Sequence, residues 1–179
     1  METVPDTDRQ TQFERLAHEI ATPLRRYVVR RAPKDAVDDI VADVLLVLWR
    51  RLDDVPTDDA VPWTYAVARA CLANARRTAQ RQLRLVDRIT RLDPPRVQPE
   101  DADHPEVHVA LAALGELDRE VVTLWAWEGL APREIAVVTG LSANAVSIRL
   151  HKAKKRLAAQ LGKIGLSAGQ VPDTERRPR

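Results

Sequence analysis

The chain has 179 residues, 30% of them charged and 45% hydrophobic, with 12 prolines, 6 glycines and one cysteine. That length holds one domain or two small ones, each with a modest core. The lone Cys71 excludes an intramolecular disulfide and a cysteine-based zinc site, and it points to a reducing compartment.

The formal net charge is +2, but the charge is laid out in blocks. Asp35 to Asp59 holds eight Asp against Arg50 and Arg51, whereas residues 60–86 hold no acid and five arginines. Residues 87–109 turn acidic again, six against three, and residues 135–172 are acid-free with six cations. Two basic blocks set between acidic ones suggest two surfaces that face a polyanion, although solvated arginine-rich helices give the same pattern.

The amino end, METVPDTDRQTQ, is polar and acidic, without the basic-then-apolar order of a secretory signal. The apolar run Val44–Trp49 is far too short to span a bilayer, so a cytoplasmic protein with no membrane span is expected. From Phe13 to Arg31, the positions Phe13, Leu16, Ala17, Ile20, Leu24, Tyr27 and Val28 follow three-and-four spacing, which predicts a helix. Val37, Ile40, Val41, Val44, Leu45, Leu48 and Leu52 predict a second helix. Its opposite face carries Asp39, Asp43, Leu46 and Arg50, and a leucine (with Trp49 close by) among exposed charges suggests a protein partner. A solvated face, or a divalent cation held by Asp38, Asp39 and Asp43, remains open at this point.

A third helix is predicted from Trp63 to Arg84, with Val67, Ala70, Cys71 and Ala75 inward. Trp63 and Tyr65 open this arginine-rich helix, and aromatic faces beside guanidinium groups suit unstacked bases, at about 1–3 kcal/mol per base. Asn74 can bond a base edge, and Arg76 and Arg77 can meet phosphates; core packing is the competing reading for the two aromatics. The stretch LDPPRVQPEDADHPE then holds four prolines and five acids and reads as a linker. Taken over residues 87–108, it can extend to roughly 70 Å at about 3.3 Å per residue, about two turns of DNA.

Val109–Leu117 and Asp118–Glu128 read as two further helices, the second capped by Asp118 with Val121, Val122, Leu124 and Trp125 inward. In GLAPREIAVVTGLSANAVSIRLHKAKKRLAAQL, Pro132 suits a first helical position, Gly140 a left-handed stop, and Ser142 a cap. Ala136, Gly140 and Val146 have helix-turn-helix spacing: the Ala permits close crossing, the Gly turns the chain, and the Val locks the second helix. Val146, Leu150, Ala153 and Leu157 form that helix's inner stripe, which leaves Asn144, Ser147, Ile148, Arg149, His151, Lys152 and Lys155 outward. Such residues can reach base edges and phosphates in a major groove. The end of the chain from Gly165 mixes Gly, Pro and charge without periodicity and is expected to be disordered. Nothing reads as a strand, so the fold class is all-α: two small helical domains joined by a flexible linker, the second with a helix-turn-helix.

Taken together, DDIVADVLLVLWRRLDD, PWTYAVARACLANARR and LDREVVTLWAWEGLAPREIAVVTGLSANAVSIRLHKAKKRL resemble the bacterial RNA polymerase sigma factors of the two-domain extracytoplasmic-function (ECF) subgroup. The resemblance implies a region-two domain over residues 1–86, a linker over 87–108, a region-four domain over 109–162 and a tail over 163–179. It implies that Asp39, Asp43, Leu46, Trp49 and Arg50 dock on the clamp helices of the largest subunit of core RNA polymerase. It implies that Trp63, Tyr65, Arg69, Asn74, Arg76 and Arg77 hold the melted minus-ten strand of promoter DNA. Ser142, Asn144, Ser147, Arg149, His151, Lys152 and Lys155 would contact the minus-thirty-five duplex. The family has no catalytic centre of its own, so no enzyme activity, cofactor or metal is expected. An anti-sigma partner is common in the family, and no residue here establishes one. The sequence departs from the usual pattern at Ala70, where Asn is commoner, at Ala131, where a capping Ser or Thr is commoner, and at Ser147 and Ile148, which replace a Lys-Ser pair. A stand-alone helix-turn-helix regulator and a metal-dependent all-α hydrolase using Asp38, Asp39 and Asp43 are the competing functional classes.

Overall fold

The computed structural model describes residues 6–89 and 105–168, and all regular structure among them is helical. In chain order these are α1 (Asp6–Val29), a 3-10 turn (Lys34–Ala36), α2 (Val37–Arg50), a second 3-10 turn (Leu52–Asp54), α3 (Ala60–Ile89), α4 (Pro105–Ala112), α5 (Glu116–Glu128), α6 (Pro132–Thr139) and α7 (Ala143–Ala168). The expected linker therefore overlaps helix at both ends, since α3 reaches Ile89 and α4 begins at Pro105; residues 90–104 lie outside the described residues. The expected tail likewise begins inside α7, and residues 169–179 and 1–5 lie outside the described residues.

The apolar stripes of α1 and α2 are buried as the spacing predicts. Leu16, Ile20, Leu24, Tyr27 and Val28 face Val37, Ile40, Val44, Leu48 and Leu52, with Phe13, Val41 and Leu45 half-buried at the margin. Each large aliphatic chain removed from water this way contributes about 1.5–3 kcal/mol. In α3 the seam differs from the expected one. Tyr65, Ala68 and Leu72 are buried, Val67, Cys71 and Ala75 are half-buried, and Ala70 is exposed. The reason is tertiary: α3 packs on α1 and α2 and also on α6, so it buries more than one face.

The second unit closes around Leu111, Leu114, Val121, Val122, Leu124, Ile135, Val138, Val146, Leu150 and Ala153. Trp125, expected inward, is 41% exposed, and the Lys154 ammonium sits 3.9 Å from its ring centroid. This cation covers a ring face that the short α5 cannot turn into the core along with Leu124. The two units are continuous with each other, because their buried side chains form one apolar cluster through α3 and α6.

Tyr27 and Tyr65 stack at the centre of the first unit, with ring centroids 4.6 Å apart and planes 16° apart. Burial pushes both phenols up from 10.0 to about 12. A phenol whose folded value lies above its unfolded value favours the folded state fully below the unfolded value. That advantage is lost as pH rises from 10.0 to about 12. The chain contains only these two tyrosines, so the phenolate ultraviolet band reads them alone. We expect the band to appear together with unfolding in this window. Ionisation at the ordinary value in the still-folded protein would contradict the stacked, dry pair.

Candidate nucleic-acid and polymerase interfaces

The helix-turn-helix is set by local chemistry at each junction. Pro132 opens α6, where the missing N–H is no loss. Ala131 has no capping oxygen, but the Glu134 carboxylate accepts the Ala131 backbone N–H at 2.7 Å. Gly140 ends α6 in the left-handed region (φ 74°, ψ 12°), and its N–H donates to the Ala136 carbonyl at 2.9 Å. Ser142 Oγ accepts the Ala145 N–H at 3.2 Å and caps α7. Val146, Leu150 and Ala153 then seat α7 on the unit.

This orientation leaves Ser142, Asn144, Ser147, Ile148, His151, Lys152 and Lys155 exposed on α7 or at its start. Two of these hydroxyls are already engaged, since Ser142 caps the helix and Ser147 Oγ donates to the Ala143 carbonyl at 2.9 Å. Arg149 differs from the rest. Its Nη1 donates to Asp118 at 2.7 Å, while Arg156 Nη1 donates to the other oxygen of the same carboxylate at 2.9 Å. Asp118 was expected to cap α5, but Gly115 holds that position and makes no side-chain cap. Asp118 instead braces α7 against α5, and Arg149 is a strut of that brace as well as a member of the outward face.

Along α3, the structure divides the expected minus-ten set. Asn74, Arg76 and Arg77 are exposed, with Arg76 donating to the Arg31 carbonyl at 3.3 Å. Trp63 is half-buried beneath the Arg51 guanidinium, 5.2 Å from the ring centroid. Tyr65 is corrected: at 3% exposure and stacked on Tyr27 it is a core residue, with no ring face left for a base. Arg69 forms a bidentate pair with Glu120 of α5, at 2.6 and 3.0 Å, and this hydrogen-bonded carboxylate raises the guanidinium's already high pKa.

On α2, Asp39, Asp43, Leu46 and Arg50 are exposed along one face, Leu46 at 46%. Trp49 is corrected from an exposed anchor to a half-buried contact with α1. Its ring meets Phe13 edge-on at 5.2 Å, and Arg9 lies over it while donating to the Trp49 carbonyl at 2.9 Å. The Cys71 thiol on α3 is pushed up by burial and then by the Asp43 charge, so it stays protonated. Among the described residues no group of three or more His, Cys, Asp or Glu side chains is placed to hold a metal ion.

The junction between the units rests on residues that sequence reasoning did not single out. The Glu128 side chain, 3% exposed, is held by Arg31 at 2.8 Å and by Arg30 at 3.1 Å. Arg31 also donates to the Tyr27 carbonyl at 3.0 Å and lies 3.8 Å from the Tyr27 ring centroid, while Arg30 reaches over Trp127. The sequence signal for it is that α5 carries acids between two acid-free blocks; the partners of Glu128 lie 97 and 98 positions away in the chain.

Comparison with known proteins agrees with this architecture. Residues 104–157 match the family described as sigma-70, region 4. The chain is 32% identical over 148 residues to the ECF RNA polymerase sigma factor SigF of Caulobacter vibrioides, covering 77% of this chain and 79% of the relative. It is 30% identical over 141 residues to the RNA polymerase sigma factor NccH of Alcaligenes xylosoxydans xylosoxydans, covering 72% and 75%. Its fold is like that of the sigma factor RpoE of Bartonella quintana, solved in complex with the anti-sigma factor NepR. The TM-score there is 0.63 at 21% identity, covering 84% of this chain and 96% of that one. The chain belongs to the ECF RNA polymerase sigma factors.

A buried carboxylate left facing two cations without its charge should cost dearly. Glu128→Gln is expected to lower the stability of the full chain by about 3 kcal/mol in urea unfolding. A loss under about 1 kcal/mol, the range of an exposed pair, would show that the junction is solvated.

Proposed function

We propose that this chain acts as a promoter-directing subunit of bacterial RNA polymerase, with its two units contacting separate promoter elements and α2 contacting the core enzyme. Support for the first part comes from α7: its outward face carries Asn144, His151, Lys152 and Lys155 and no acid, on a helix seated by Gly140, Ser142 and Val146. A helix so mounted presents hydrogen-bonding tips to a major groove and cations to the flanking phosphates. Support for the second comes from α3, where Asn74, Arg76 and Arg77 remain available to a polyanion. Arg69 becomes available only when its pair with Glu120 parts, so engaging a melted strand with all four residues requires the units to separate.

Support for the third comes from α2, whose exposed face sets Leu46 between carboxylates and a guanidinium. An apolar anchor with a charged rim is the composition of a protein contact rather than of a nucleic-acid one. In this reading the chain has no catalytic centre, works in the cytoplasm beside the polymerase, and lends selectivity to chemistry done elsewhere. No described helix is long and apolar enough to cross a membrane. Control by an anti-sigma partner belongs to the same proposal, on the ground that the RpoE of like fold was solved bound to one. A stand-alone regulator needs neither the acid-rimmed Leu46 nor a second basic face, so that reading is the weaker.

Asp43 is exposed on α2. Asp43→Arg reverses its charge and is expected to weaken binding to core polymerase by about tenfold or more, with thermal unfolding unchanged. Equal affinity for the core enzyme would remove α2 from the interface. A matching fall in thermal stability would make Asp43 structural.

A further inference from the structure

We propose that Ile148 reads a thymine in the upstream promoter element, by apolar contact with the thymine 5-methyl group. The inference rests on the reading of α7 as a major-groove helix and names a specificity determinant within it. Ile148 is the sixth residue of α7, within the first two turns, where a recognition helix meets base edges. It is 48% exposed, whereas the neighbouring apolar residues Val146, Leu150 and Ala153 turn inward. One turn away on the same face stand Asn144, His151 and Lys152, all exposed and all hydrogen-bonding. Ile148 is thus an apolar centre in a polar reading surface.

The chemistry of the groove decides what such a centre can recognise. In the major groove the amino, carbonyl and N7 groups are donors or acceptors, and the methyl of thymine is the one apolar group that stands out from the base edge. An amino or carbonyl group pressed against Ile148 would lose water and gain no partner, whereas a methyl would lose nothing and gain contact. The β-branched chain has little χ1 freedom to lose, so its methyls are already aimed. The adjacent arginine does not compete for the same base, because Arg149 is tied to Asp118 at 2.7 Å.

The test uses the full chain bound to core polymerase and a promoter selected from a library randomised in the upstream element. Each thymine of that element, on either strand, is replaced singly by deoxyuridine, which removes only the methyl. At one thymine the replacement is expected to lower open-complex formation about 3- to 10-fold. Ile148→Ala should cause a similar loss on the thymine promoter, none beyond it on the deoxyuridine promoter, and no change in thermal unfolding. The proposal is overturned if no thymine is methyl-sensitive, or if Ile148→Ala is as sensitive to the methyl as the parent. A selected promoter without methyl sensitivity sinks this inference alone; a library that yields no promoter sinks the functional reading and this inference with it.

Discussion

A carboxylate sealed between two guanidinium groups is the contact on which the arrangement of this chain turns. Glu128 ends α5 almost wholly out of water, and Arg30 and Arg31, just past the end of α1, supply its charge compensation. Desolvating a carboxylate costs several kcal/mol, and only close pairing with more than one donor returns it. The pair is therefore a condition on geometry rather than a source of great stability: wherever Glu128 is dry, the segment that leaves α1 must meet the end of α5. Arg69 and Glu120 repeat the constraint from α3, and the apolar contact of α3 with α6 fills the space between.

That condition shapes what the three polar faces can do. The α2 face is exposed, as is the outward face of α7. The α3 face is divided, with Asn74, Arg76 and Arg77 exposed while Arg69 is claimed by Glu120. The same logic operates inside the second unit, where Asp118 holds Arg149 and Arg156 and so fixes the angle at which α7 leaves its neighbours. Acidic residues of α5 thus position the basic residues of α1, α3 and α7. This explains why a nearly neutral chain can show concentrated positive faces without collapsing onto its own acids elsewhere.

Much of this was legible in the sequence where the determinants are local. The α6–α7 turn depends on Gly140 and Ser142 within a few positions, and the α1 and α2 stripes on unbroken large aliphatics, so period and capping sufficed. The α3 seam is harder to read because Ala66, Ala70 and Ala73 fall on one side of the helix and Ala68 and Ala75 on the other, so small apolar residues alone do not choose a face. Tertiary contact with α6, absent from any local window, decides which of them is buried. Tyr65 and Trp49 were ambiguous for a related reason: an aromatic ring beside arginines suits a base or a core equally well, and only the partners Tyr27 and Phe13 distinguish them. Asp118 and Glu128 were illegible because the partners of Asp118 are 31 and 38 positions away and those of Glu128 97 and 98.

The most direct test is the distance distribution between spin labels on exposed Glu19 of α1 and exposed Lys155 of α7, in the free full-length chain with Cys71→Ser. A clasp through Glu128 predicts one narrow distribution in the parent chain and a broad, longer one in Glu128→Gln. A broad distribution already present in the parent, or an unchanged narrow one in the variant, would show that the buried carboxylate does not hold the two units together.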